Sequence, residues 1–528
     1  MNTKISHLFV FFTALICIIL PCLFIQGQYL VNGNISWLLI AAERLLDGQK
    51  LSEHIYETNP PLSILAYTPH ILFAKALGMP ITVGSFYLTF IFICLSTLTT
   101  YFVIKPFEFL SSAEKKVFIL GYFLSVTLGT TVFFSEREHL VILSLVPFVL
   151  CQYAMARHIN IRKAILIPVM VVGALCILVK PHYGLLPTIF ILDRMIRQRK
   201  CSAFFNIDFI ALSIMTLAYI GIIFTFFSDY VEIIFPDVLT LYATNTSPVT
   251  AILSIQTYMF ACAAMCVLEL FMEDLNRQKK SFIMFLYCCA LLCLIPYFVQ
   301  MKGFFNHITP IYTFFLCALT LSISFRVPYF FKSMKIAQII IPITCLAFII
   351  HVQTPLNTRF PKQTDIPNLP VAQFLEKECT KPCTFFAFHG DIEIINPTAA
   401  YMGYTHASRF PSLWFIPKIL TGLKSTDKQE RVLYQRLKNK YTQIVADDLE
   451  HYKPSVIMIV ADLPIGTLKA FDFMGFFGKN QKLRHIIRTK YEKDEQFMFD
   501  RAQYFTGTTL EKSYLLKYDV YRRKASSP

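Results

Sequence analysis

The sequence predicts an α-helical polytopic membrane protein of about eleven transmembrane helices followed by a C-terminal α/β domain. Three observations lead there. Of 528 residues, 55% are hydrophobic and only 16% charged, where a soluble chain of this length carries roughly a quarter charged residues. The apolar residues up to Val352 fall into blocks long enough to cross roughly 30 Å of hydrocarbon at about 1.5 Å per residue. Beyond that point the apolar runs are strand-sized, so the chain divides into a transmembrane part, 1–352, and an α/β part, 353–528.

The predicted spans are 8–25, 82–104, 117–134, 139–156, 164–180, 184–193 with its flank, 204–227, 249–271, 281–299, 307–325 and 335–352. The first lacks a small-x-small cleavage site and reads as a retained anchor. With the N-terminus cytoplasmic, 17 lysines and arginines fall in inner connections and six (Arg44, Lys50, Lys75, Arg137, Lys180 and Lys302) in outer ones. That bias fixes the orientation, and an odd number of spans places the C-terminal domain on the far side. The same topology accounts for the 23 lysines and arginines ahead of residue 353, and no basic stripe interleaved with aromatics points to nucleic acid.

The first outer loop, 26–81, contains I-S-W-L-L-I-A-A-E-R-L-L-D-G, apolar at helical spacing and closed by Gly48, which predicts an amphipathic helix in the bilayer interface. After Pro60 and Pro61 a second apolar stretch, interrupted by Pro69, His70 and Lys75, reads as another interfacial or re-entrant helix. In the C-terminal part V-A-Q-F-L-E-K predicts a helix, T-F-F-A-F-H-G a strand, Asp427–Glu450 a charged helix and S-V-I-M-I-V-A-D a buried strand; a further helix and strand follow about Asn480. Thirteen of the fifteen cysteines lie in or beside apolar blocks and read as small hydrophobes. Cys379 and Cys383, in C-T-K-P-C, are spaced for a small-loop disulfide in an oxidising compartment; a two-cysteine metal site is disfavoured, since no second ligand pair follows at zinc spacing.

Charged and polar residues collect at the outer helix ends. The first loop supplies Asn34, Glu43, Asp47, Glu53 and Glu57, and S-E-R-E-H supplies Glu136, Arg137, Glu138 and His139. K-P-H-Y supplies Lys180 and His182, and M-K-G-F-F-N-H supplies Lys302, Asn306 and His307. Each has a plainer reading: lysines that snorkel, carboxylates that are solvated, histidines that cap carbonyls. Four outer turns keeping charge beside a membrane nevertheless mark a functional site. Its carboxylates suit base or metal duty and its cations suit a phosphate.

The layout resembles the GT-C superfamily of integral-membrane glycosyltransferases. The residues that carry the resemblance are A-x-E-R-L-L-D-G, E-T-N-P-P-L, S-E-R-E-H-L, K-P-H-Y and K-G-F-F-N-H-I-T-P, in that order, over 1–325. Within it the bacterial aminoarabinose transferases, protein O-mannosyltransferases and rhizobial galacturonosyltransferases are most similar in layout. The resemblance implies a GT-C-like enzyme of the bacterial cytoplasmic (inner) membrane with a periplasmic C-terminal domain. Such an enzyme moves a sugar from a polyprenyl-phosphate donor in the lipid bilayer to an envelope acceptor (lipid, polysaccharide or protein). Asn34, Arg137, His139, Lys180, His182, Lys302 and His307 would serve the substrate and its phosphate, Glu57 or Glu138 the acceptor hydroxyl, and Glu136 with Glu138 a divalent cation, Mg or Mn. Where the family offers an aspartate ahead of its interfacial helix, this chain has Asn34, which is no base. Either Glu57 or the Glu136/Glu138 pair takes over, the reaction needs only positioning, or transfer activity is lost. The other readings are a transporter or flippase for a lipid-linked saccharide and an inactive membrane scaffold. Hydropathy shows no inverted repeat, which disfavours the transporter.

Overall fold

The computed structural model describes residues 18–200, 202, 204–242, 248–272, 275–300, 304–330, 347, 361–379, 381–461, 471–504 and 515–524. Most of the first predicted span, nearly all of the last and Lys302 lie outside them. Among the described residues five helices are long and apolar enough to cross a membrane: Ile81–Ile104, Arg137–Ala156, Ile207–Phe226, Arg277–Gln300 and Phe305–Arg326. Two shorter apolar helices are Lys163–Ile177 and Met259–Phe271. The chain is a membrane protein.

The molecule divides into two compact units. The first takes Met1–Tyr29, Phe86–Ile222 and Thr244–Thr354; the second takes Leu30–Ser85, Ile223–Ala243 and Pro355–Pro528. The second is therefore larger than the C-terminal stretch alone.

In the first unit the Thr309–Phe330 helix packs against Arg277–Leu292, Ser112–Thr127 and Arg137–Ala156, and Arg137–Ala156 also packs on Lys163–Ile177. The Ser112–Thr127 helix opens on a capping box, with Ser111 accepting from the Glu114 amide and Glu114 accepting from that of Ser111. Phe107, Phe118, Tyr153 and Phe282 fill one end with edge and tilted ring contacts. Gly173 lets the Lys163–Ile177 helix approach closely, since a Cβ there would lie 2.5 Å from the Phe148 ring. A buried ion pair, Arg194 to Asp208 at 2.8 and 3.0 Å, is completed by the Gln152 amide at 2.8 Å.

The second unit is built on a five-stranded mixed sheet of order β2-β1-β3-β5-β4. β1 (Thr384–Phe388) pairs in parallel with β2 (Thr405–His406) and with β3 (Val456–Val460). β5 (Leu515–Arg523) runs antiparallel to β3 and to β4 (Tyr491–Asp500), whose register shifts between Lys493 and Gln496. β3 is buried along its whole length, as its V-I-M-I-V run requires. The Lys428–Tyr452 helix, capped by Asp427 accepting from the Gln429 amide, packs on Ile416–Leu423 and Gln481–Lys490. Cys379 and Cys383 are joined in a disulfide.

The helix expected in the first outer loop forms over Gly33–Leu46 and stops before Gly48, whose φ of 82° only glycine adopts readily. It is not left half in the open. Residues on nearly all its sides are buried, and it packs on the Ile392–Met402 helix. Gly33 permits that approach, because a Cβ there would lie 2.3 Å from the Ile392 carbonyl oxygen. Arg44 donates to the carbonyls of Ser408 (2.7 Å), His406 (2.6 Å) and His54 (3.1 Å), fastening the helix to the β2 region. The second apolar stretch forms two short helices, Leu62–Leu65 and Thr68–Ala76.

Candidate functional site

Three turns of the first unit converge on one carboxylate. Ser135 adopts a left-handed backbone (φ 69°), Glu136 takes the extended N-cap conformation, and the helix starts at Arg137. This puts Glu138 in the first helical turn, where the helix dipole favours a negative charge. Lys180 follows the Lys163–Ile177 helix and is held at its end by Pro181, which opens a short 3-10 turn. His307 lies in the 3-10 turn Phe305–Ile308, just ahead of Thr309 and Pro310 at the start of the next long helix.

The Lys180 ammonium lies 3.0 Å from Oε1 of Glu138, and Nε2 of His307 lies 3.3 Å from the same oxygen. The Asn306 amide donates to Oε2 at 3.1 Å. The side chains of Glu138, His307 and Lys180 are 0%, 2% and 7% exposed. Arg137, also buried, lies within electrostatic reach of both Glu138 and Lys180, and Glu136 within reach of Lys180. A buried carboxylate persists only when paired and hydrogen-bonded, and Glu138 is both. The cluster thus brings two cations, Arg137 and Lys180, and the His307 imidazole to two carboxylates, Glu138 and Glu136, and its ammonium and guanidinium are groups that bind phosphate.

The other expected residues are placed differently. His139 sits one position from Glu138, but its Nδ1 accepts the Ser135 amide at 3.0 Å, so it braces the helix start. His182 is half-buried and meets the Gln300 amide at 3.0 Å. Glu57 belongs to the second unit, where Oε2 accepts the Trp37 indole N–H at 2.7 Å. Its Oε1 accepts the Asn59 backbone N–H at 2.9 Å and the Asn59 amide at 2.5 Å. Asn34, also in the second unit, sits half-buried in the first turn of the Gly33–Leu46 helix, whose cap is Asn32.

A divalent cation fits these residues poorly. Glu138 already faces an ammonium and an imidazole, and among the described residues no group of three or more His, Cys, Asp or Glu side chains converges. A second polar array escaped the sequence reading. Tyr56, Asp237, Lys440 and Tyr441, from three separated segments of the second unit, meet at one carboxylate oxygen. No local motif announces it, because its members are up to 385 positions apart.

No family model matches the chain, and no curated protein does. Two cryo-EM structures of a mutant arabinofuranosyltransferase, AftD from Mycobacteria, align over 96% of this chain and 41% of that one. Their TM-scores are 0.43 and 0.44, at 12% and 15% identity. The chain spans about two fifths of that protein's length, and a likeness this loose carries no argument about fold or activity.

Proposed function

We propose that the protein is a membrane glycosyltransferase of GT-C type that takes a sugar from a polyprenyl-phosphate donor on the outer face of a bacterial inner membrane. The observation that carries this reading is the ion cluster of Glu138, Lys180 and His307, buried at three helix ends that the charge bias assigns to one side.

In this mechanism Lys180 and Arg137 receive the donor phosphate and stabilise its growing charge as the sugar–oxygen bond breaks. The phosphate competes with Glu138 for the Lys180 ammonium. Once the ammonium turns to the phosphate, Oε1 of Glu138 loses a partner and takes the proton of the acceptor hydroxyl as that oxygen attacks C1. Phosphate leaves without a general acid, so one base suffices and the anomeric configuration inverts. Glu138 is preferred over Glu57, whose two oxygens are held by neutral N–H groups of Trp37 and Asn59 and by no cation for which the donor phosphate competes. The step is routed through no metal.

Glu138→Gln and Lys180→Met variants, produced in a strain lacking the native gene, test the reading. Loss of glycosylated envelope product with the folded protein present in the membrane supports it. Undiminished product from Glu138→Gln sinks the mechanism.

A further inference from the structure

In the second unit the Asp237 carboxylate is held from one side only. The Tyr56 hydroxyl donates to Oδ2 at 2.6 Å, the Lys440 ammonium to the same atom at 2.6 Å, and the Tyr441 hydroxyl stands 3.0 Å from it and 3.0 Å from the Tyr56 oxygen. Oδ1 makes no hydrogen bond among the described residues and is not sealed from solvent. Three donors on one oxygen fix the carboxylate plane and leave Oδ1 as the remaining acceptor, on a side chain 11% exposed. Burial, with Asp237 beside it, pushes the Tyr56 hydroxyl well above its ordinary range, and burial does the same to Tyr441, so both stay protonated.

Aromatic surface adjoins this acceptor. Trp414 lies 6.4 Å from the Tyr56 ring, 6.2 Å from Tyr441 and 5.6 Å from Tyr242, centroid to centroid. Trp414 and Tyr242 are each partly exposed, while Tyr56 and Tyr441 are buried. The indole N–H of Trp414 is itself buried and has no hydrogen-bond partner among the described residues. An indole N–H withdrawn from water normally finds an acceptor, so Trp414 carries an unused donor on a ring that packs against both tyrosines holding Asp237.

A partly exposed indole, an oriented carboxylate oxygen and an ammonium within 2.6 Å of its partner oxygen match the needs of one ligand class. Sugar rings offer C–H faces to aromatic planes and hydroxyls that both donate and accept. We infer that Asp237, Lys440 and Trp414 form a saccharide-binding subsite in the second unit, with Tyr56 and Tyr441 as positioning residues. The ligand is a hydroxyl-rich saccharide chain that gives a hydroxyl hydrogen to Oδ1, takes one from Lys440 and lays a ring face on Trp414. As the acceptor side of the reaction this extends the transferase reading. The binding itself stands apart from it.

The test is direct binding of the full chain in lipid nanodiscs to an array of immobilised oligosaccharides of hexoses, pentoses and uronic acids. The sequence has two tryptophans. Trp37 is buried on Glu57, so a ligand on Trp414 is read as an emission change that Trp414→Phe abolishes. Saturable binding to at least one glycan class, weakened tenfold or more by Asp237→Asn and by Lys440→Met, is the expected result. Lys440 is 36% exposed, so its variant remains informative where Asp237→Asn unfolds. Absence of binding to every glycan, or binding unchanged in Lys440→Met, overturns the inference. Neither result requires sugar transfer, so loss of the transferase reading through Glu138 and loss of this subsite are distinguishable.

Discussion

The ammonium of Lys180 stands 3.0 Å from the carboxylate of Glu138, two residues from separate helix ends with almost no solvent on either. Breaking such a pair by removing one member leaves a buried charge uncompensated, at a cost of about 3–5 kcal/mol. Lys180→Met is therefore expected to lower the melting temperature of the detergent-solubilised protein sharply. Glu138→Gln combined with Lys180→Met should recover much of that loss, because both charges go together. A double variant as unstable as the sum of the singles contradicts the pairing.

Arg194 and Asp208 form a comparably buried pair, with the Gln152 amide as third member. No residue of the Glu138 cluster takes part. Asp208→Asn should cost stability of the same order, about 3–5 kcal/mol, while leaving turnover per folded molecule unchanged. A large fall in turnover by the folded variant would make this pair part of the reaction.

Glu57 accepts three N–H donors, two of them from Asn59. Glu57→Gln turns an amide NH2 toward one of those donors and loses charge assistance, costing about 1–3 kcal/mol. Because Trp37 donates to that carboxylate, its emission should shift as well. Full turnover with a lowered melting temperature is the expected pairing of results. A folded variant without turnover returns Glu57 to the catalytic position.

His406, in β2, is buried with neither ring nitrogen hydrogen-bonded among the described residues. Burial, reinforced by Arg44, pulls it down to about 3. The unfolded chain protonates this ring near pH 6.5, and the folded chain does so only near pH 3. Stability is therefore full above pH 6.5 and falls as pH drops toward 3, by roughly 4 kcal/mol for this group alone. His406→Phe, stacking on Phe385 as the imidazole does, should flatten that acid limb in a denaturation series. An unchanged limb assigns the acid sensitivity to other groups.

Hydropathy marked five helices that are long and apolar enough to cross a membrane among the described residues, while the expected spans 164–180 and 184–193 form helices of 15 and 14 residues. Arg137–Ala156 and Phe305–Arg326 follow the predicted 139–156 and 307–325 closely. The C-terminal elements were legible for a similar reason: β3 is a closed apolar run, and Asp427 caps the long charged helix where the sequence changes character. The covering of Gly33–Leu46 was not, because an amphipathic pattern shows an apolar face without saying what lies against it. Arg44 counts in the sequence as one of six outer-loop cations, yet it is buried by carbonyls more than 360 positions away. The candidate site was half legible. Glu138, Lys180 and His307 stood out as costly charges at helix ends, whereas the bracing role of His139 depends on the backbone turn at Ser135. The array at Asp237 could not be read at all, since pairing of distant segments leaves no trace in spacing.

Sugar transfer is expected to depend on Glu138. Its most direct measurement is lipid analysis of a deletion strain complemented with the native chain or with Glu138→Gln at matched membrane levels. Accumulation of a polyprenyl-phosphate sugar and an under-glycosylated envelope product, corrected by the native chain and uncorrected by Glu138→Gln, is the predicted result. Full correction by Glu138→Gln, or a deletion strain with unaltered donor lipid and envelope, contradicts the account.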